Sequence, residues 1–163
     1  MVIAFLLTSF LFLLPIQNGC QSNNFGLTSL GSWGGPVKSD LPNDLTWQIT
    51  LYDSKEHPEM VAAYLVINRS RTIRSNSAIR PVALPGKKVG QWLVFRFPNS
   101  GEIVKARKMP NNKLKVLHQA SDKTNTFLLP SSTQHNELVV YGEICQQWKE
   151  SFKEGKWSTQ LFP

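Results

Sequence analysis

Residues 91–118 read QWLVFRFPNSGEIVKARKMPNNKLKVLH, and this stretch decides the fold class. It contains three short apolar-rich segments, at residues 91–97, 102–108 and 113–118. Residues typical of turns separate them, PNSG after the first segment and PNN after the second. Short apolar segments at this spacing, divided by Pro, Asn, Ser and Gly, indicate consecutive β-strands.

The second and third segments predict a hairpin with one basic face. Val104 and Ala106 are expected to face inward, as are Leu114 and Val116 on the partner strand, because side chains alternate along a strand. The three-residue loop keeps both apolar sets on one side, and an Asn can take the left-handed conformation that such a loop uses. The side chains that would then share the solvent face, with like charges opposed, are Lys105, Arg107, Lys113 and Lys115.

The flanking sequence extends the same pattern. Further strands are predicted at residues 45–52, 60–67, 124–129 and 137–144, with a loop around Pro81, Pro85 and Gly86. Ile144, Trp148 and Phe152 recur at every fourth position before Gly155, which predicts one amphipathic helix of about ten residues. A last strand is expected at 157–162. Strands spaced roughly ten residues apart favour a β-sandwich.

The pattern resembles small bacterial envelope proteins with immunoglobulin-like domains. The segments that carry the resemblance are AAYLVINRS, QWLVFRFPNSGEIVK and FLLPSS. The resemblance implies a mostly β, immunoglobulin-like β-sandwich with one short C-terminal amphipathic helix, over residues 44–163. It implies no particular function, because one fold can carry many.

The N-terminus indicates export. Residues 2–16 (VIAFLLTSFLFLLPI) are uncharged and apolar, which suits the core of a signal peptide better than a membrane span. We therefore expect a signal peptide over residues 1–19. Residues 20–43 are rich in Gly, Ser, Asn and Pro and are predicted to be a flexible tether.

Cys20 and Cys145 are the two cysteines of the chain. Residues 16–20 (IQNGC) resemble the lipobox of bacterial lipoproteins, which implies a lipid anchor on Cys20 and, with Gln21 following, attachment to the outer membrane. Two alternatives stay open. An exported chain could instead pair Cys20 with Cys145 in a disulfide, or it could be cleaved nearby without lipidation.

The net charge of +7 is concentrated in one region. Residues 69–123 carry thirteen Lys and Arg against two acidic residues. An anionic partner would explain this cluster: a phospholipid headgroup, an acidic envelope polymer or an acidic protein surface. The alternative is a solvated basic surface, and nucleic acid is not expected outside the cytosol.

The sequence contains no recognised catalytic motif. HExxH, CxxC, GxSxG and the phosphate-binding loop are all missing, and we expect no metal site and no cofactor. The sequence therefore predicts a non-catalytic lipoprotein that binds a partner, or forms part of an envelope assembly, through its basic face. A soluble secreted binding or inhibitor-like domain is the second hypothesis. A hydrolytic enzyme of unrecognised type is the third.

Overall fold

The computed structural model describes residues 19–37, 45–69 and 81–163. Residues 1–18, which include nearly all of the expected signal peptide, lie outside the described residues. The described chain is mostly β, with one helix near the C-terminus. The predicted sandwich-like β fold with one short C-terminal helix is confirmed.

Eight strands form one antiparallel sheet in which every neighbour in space is also a neighbour in sequence. The strands are β2 (Leu27–Val37), β3 (Leu45–Ser54), β4 (Met60–Arg69), β5 (Val82–Val89), β6 (Trp92–Arg96), β7 (Ile103–Met109), β8 (Lys113–Ala120) and β9 (Lys123–Leu129). This sequential order differs from the Greek-key order usual in immunoglobulin domains.

The sheet rolls until its two ends meet. Trp33 of β2 forms a bridge with Ser131, just beyond β9. Backbone hydrogen bonds from Gly34 N to Pro130 O (3.0 Å) and from Ser132 N to Ser32 O (2.9 Å) extend this contact. The inward side chains therefore enclose a core, in which Ile49, Leu51, Val104 and Val116 are fully buried.

A second core covers part of the outer surface. The helix α1 (Gly142–Glu154) packs there with two short strands that pair with each other, β1 (Cys20–Gln21) and β10 (Val139–Val140). Trp148 and Phe152 are buried against Tyr52, Met60 and Ala62, side chains on the outer face of β3 and β4. This face explains why residues 60–67 are apolar throughout, since β4 contributes alternate side chains to the two cores.

Residues 20–37 belong to this fold, so the prediction of a tether over 20–43 is wrong for them. Cys20–Gln21 and Leu27–Val37 are strands, and Phe25 is buried between them. Backbone pairing with β3 and β10, together with burial of apolar side chains, outweighs the glycine-rich composition. Residues 38–43 lie outside the described residues.

Three boundaries near the C-terminus also differ from expectation. The strand predicted at 137–144 is limited to Val139–Val140, because Gly142 takes a left-handed φ of 61° and starts the helix. Ile144 lies in the first turn of the helix and is exposed. Of the three residues in the predicted apolar stripe, Trp148 and Phe152 are the buried ones. Residues 157–162 form turns instead of a strand, with Trp157 and Leu161 buried. Gly155 ends the helix with a φ of 71°, as predicted.

Candidate functional site

The predicted hairpin exists and has the predicted loop. Strands β7 and β8 pair with Met109 opposite Lys113, which leaves residues 110–112 as the three-residue connection. Asn111 and Asn112 both have left-handed φ angles, 65° and 56°. Val104 and Ala106 are fully buried, as are Leu114 and Val116 across the pair. The alternation therefore places the four cations on the outer face.

The register shows which of these cations oppose one another. Arg107 lies directly opposite Lys115, whereas Lys105 faces Leu117 and Lys113 faces Met109. The expectation of opposed like charges thus holds for one pair and is wrong for the other two cations. We use the term basic face for the outer surface at Lys105, Arg107, Lys113 and Lys115. Lys113 is exposed and the other three are half-buried.

Strands β5 to β9 contain no Asp or Glu. Their Lys and Arg residues are Lys87, Lys88, Arg96, Lys105, Arg107, Lys108, Lys113, Lys115 and Lys123. Alternation places Lys87 and Arg96 on the outer side, next to the basic face. Both lie near the ring of Phe162, at 4.8 Å and 5.9 Å from its centroid. The basic face is therefore the centre of a broader cationic surface.

Apolar side chains lie between these cations. Val89 and Leu128 are 58% and 53% exposed, and both are on the outer side. Trp92 is half-buried, and the Arg107 guanidinium lies 5.1 Å from its ring centroid. An aromatic side chain in this strand is expected in the core, but Trp92 is not, because Leu93 and Phe95 are the side chains of β6 that face inward. Sequence alternation around Phe95 could have shown this.

The second core leaves this part of the outer surface uncovered. Its described members come from the N-terminal segment, β3, β4, β5 and the C-terminal region, and none comes from β6 to β9. The second core therefore covers the outer surface at β3 to β5, and the basic face lies on the part that it leaves uncovered. A partner could approach the basic face without displacing any described part of the chain.

The two cysteines form a disulfide, with their Cα atoms 5.7 Å apart. This is one of the two alternatives that the sequence had left open. A sulfur bonded to Cys145 has no thiol to form a thioether, so the disulfide and a lipid on Cys20 are mutually exclusive, and lipidation stays a prediction. With its sulfur in this bond, Cys145 has no free thiol to act as a catalytic nucleophile.

His135 and His118 lie in polar contacts. His135 Nδ1 is 3.3 Å from Ser32 Oγ, and its Nε2 is 3.7 Å from Glu137 Oε2. Ser32 is buried, and its hydroxyl also bonds the Thr50 hydroxyl at 2.9 Å. Through its contact with His135, the Ser32 hydroxyl joins the 131–138 segment to the sheet. His118 Nε2 lies 2.7 Å from Glu102 Oε2.

Tyr52 has the most strongly perturbed ionisation of the described groups. Its hydroxyl donates to Asn136 O (2.9 Å) and accepts from Leu138 N (3.1 Å). Burial raises the pKa of Tyr52 to about 12. A phenol that stays protonated and bonds two backbone groups acts as a structural link between β3 and the 131–138 segment.

Among the described residues, no group of three His, Cys, Asp or Glu side chains is placed to hold a metal ion. No helix in the described part of the chain is both long and apolar enough to cross a membrane. No protein-family model matches the chain, and neither the curated proteins nor the solved structures contain a significant match.

Proposed function

We propose that the chain is an exported, non-catalytic binding domain whose basic face attaches to anionic phospholipid headgroups. The observation that carries the proposal is that none of the strands β5 to β9 contains an acidic residue. These strands form the basic face and the broader cationic surface around it. A cationic surface of this kind is attracted to anionic lipid, at roughly 1 kcal/mol per Lys or Arg near the membrane.

The apolar side chains favour a lipid surface over an acidic protein or polymer. Val89, Trp92 and Leu128 lie among the cations and are partly or largely exposed. Aromatic and aliphatic groups at such positions can enter the boundary between headgroups and acyl chains, while Lys and Arg contact phosphate. A purely polar anionic polymer would give these side chains no apolar environment.

The export part of the proposal rests on two features. The apolar segment at residues 2–16 is typical of a signal peptide, and a disulfide such as Cys20–Cys145 persists in oxidising compartments. Without a lipid on Cys20, attachment to a membrane would depend on the basic face and would be reversible. We therefore favour the soluble secreted hypothesis over the permanently anchored one.

The test is co-sedimentation of the chain lacking residues 1–19 with vesicles of phosphatidylglycerol and phosphatidylcholine. The double variant Lys105→Glu, Lys115→Glu should bind at least about tenfold more weakly than wild type. Wild-type binding should also fall as salt rises, because the Debye length shrinks from about 8 Å at physiological ionic strength.

The matched control is Lys149→Glu, Lys153→Glu, which makes the same change in net charge on the exposed side of α1. It should bind nearly as well as wild type. Equal losses from the two double variants would mean that net charge alone drives attachment, and the proposal would fail. Binding to soluble polyanions but not to vesicles would identify an acidic polymer as the partner instead.

A further inference from the structure

The end of the rolled sheet near the β7–β8 hairpin holds an open cleft of about 600 Å³. Its walls come from five strands of the sheet and from the β7–β8 loop. Four wall residues, Asp53, Lys88, Leu93 and Lys108, continue the inward-facing positions of their strands, so the cleft lies directly above the buried core. Clefts of this volume are typical of small-molecule sites.

Two cations of the cleft are held in place by neutral groups. Lys108 Nζ donates to Leu30 O at 2.8 Å and lies 5.3 Å from the centroid of the Trp33 ring. Arg107 donates to Gln91 Oε1 at 3.0 Å and stacks on Trp92. Within the described residues neither cation forms a salt bridge. Each cation is therefore oriented by a neutral acceptor, while its charge is not compensated by a salt bridge.

The other two charges of the cleft cancel. Lys88 Nζ lies 3.0 Å from Asp53 Oδ2, and both side chains are partly shielded from solvent. The described walls thus carry a net charge of two positive units, from Arg107 and Lys108. A preorganised pair of cations near low-dielectric walls attracts an anion more strongly than isolated surface lysines do.

The rest of the wall is apolar. Leu30 and Leu93 are half-buried and line the cleft, and Met109 and Pro110 complete it on the hairpin side. The hairpin is fixed against this end of the sheet because Trp33 Nε1 donates to Asn112 O at 3.0 Å. The cleft therefore offers a rigid apolar surface next to two fixed cations.

We propose that this cleft binds a small amphipathic anion, with its acidic head at Arg107 and Lys108 and its apolar body against Leu30 and Leu93. The site is separate from the membrane-binding proposal, since Lys108 is on the inner side of β7 and Lys105 and Lys115 are on the outer side. Arg107 lies at the rim and is the one cation that both sites share.

The test is calorimetric titration of the chain lacking residues 1–19 with octanoate, below the concentration at which octanoate forms micelles. Octanol and acetate serve as comparison ligands, because octanol lacks the charge and acetate lacks the apolar body. Octanoate should bind at least about tenfold more tightly than either, since both halves of the site contribute.

Lys108→Met removes one charge of the site and keeps the unbranched stem. It should weaken octanoate binding by about tenfold or more, as expected for loss of a charge-assisted contact, while vesicle binding stays at the wild-type level. Lys105→Glu, at a position that faces Leu117 and not a cation of the cleft, should do the reverse: it should weaken vesicle binding and leave the octanoate affinity at the wild-type level.

An unchanged octanoate affinity in Lys108→Met, an equal affinity for octanol, or no detectable octanoate binding would each overturn the proposal. Because vesicle binding is measured in parallel on the same proteins, failure of the cleft and failure of the basic face are distinguishable.

Discussion

Arg107 and Lys115 lie directly opposite each other on β7 and β8, two cations paired across an antiparallel ladder. Like charges at such positions destabilise a sheet. Among the described residues neither side chain forms a salt bridge, and Arg107 instead bonds Gln91 and stacks on Trp92. The hairpin is therefore less stable than the same backbone would be with opposite charges at this pair.

Lys115→Glu should raise the free energy of unfolding by about 0.2–1 kcal/mol, because it converts this pair into one of opposite charge. Urea denaturation at low salt measures the change. Lys113→Glu is the matched control. Because Lys113 faces Met109, this variant should gain less free energy of unfolding. A gain of the same size in both variants would point to relief of general repulsion instead of a cross-strand contact.

Trp148→Ala should lower the free energy of unfolding by about 3 kcal/mol or more, because it opens a cavity in the second core. Trp148 is fully buried and its ring centroid lies 4.9 Å from that of Trp157. Ile144→Ala, on the same helix but 39% exposed, should cost less than about 0.5 kcal/mol. Thermal or chemical unfolding of both variants checks this, and similar costs would contradict the described orientation of the helix.

Tyr52→Phe should cost about 1–3 kcal/mol at neutral pH, because it leaves the buried Leu138 N–H and the part-buried Asn136 carbonyl without their partner. The cost should shrink at high pH. Burial raises the pKa of Tyr52 to about 12, whereas an unfolded tyrosine titrates near pH 10. The contribution of Tyr52 is therefore complete below about pH 10 and is lost as pH rises towards 12.

The free energy of unfolding should be measured for wild type and Tyr52→Phe from pH 7 to 12, at steps of about one pH unit. The two curves of stability against pH should converge above pH 10. Tyr141→Phe serves as the control, because Tyr141 is 59% exposed. Parallel curves for wild type and Tyr52→Phe would show that Tyr52 has the same pKa in the folded and the unfolded chain, which would contradict the prediction.

The disulfide predicts a specific chemical state for the purified chain. Alkylation without reductant should modify neither cysteine, alkylation after reduction should modify both, and the intact mass should contain no acyl groups. Reduction should lower stability by about 2–5 kcal/mol, since the closed loop is long. An acylated Cys20, or partitioning of the exported chain into detergent that Cys20→Ser abolishes, would instead support the lipoprotein hypothesis.

Sequence alternation predicted most of the sheet, and it failed where glycine and proline interrupt it. Residues 82–89 were expected to be a loop because of Pro85 and Gly86, yet they form β5. Gly86 is required there, because a Cβ would clash with the ring of Phe95. Gly34 of β2 similarly gives space to the side chain of Gln48. Single-residue propensities do not contain such cross-strand contacts.

The two candidate sites differ in how far the sequence could reveal them. The basic face lies within one hairpin, so alternation and loop length placed Lys105, Arg107, Lys113 and Lys115 correctly. The cleft joins residues as distant in sequence as Leu30, Lys88 and Lys108. Their proximity depends on the sheet rolling until its ends meet, which no local pattern predicts.

The Cys20–Cys145 bond turns most of the chain into a ring, with 125 positions of sequence separation between the joined residues. All eight strands of the large sheet lie inside that ring. Hydrolysis of any single peptide bond between the two cysteines therefore leaves one covalent molecule whose ends are still held in place. A protease acting between the two cysteines would have to cut twice, or meet a reductant, before it could release a fragment.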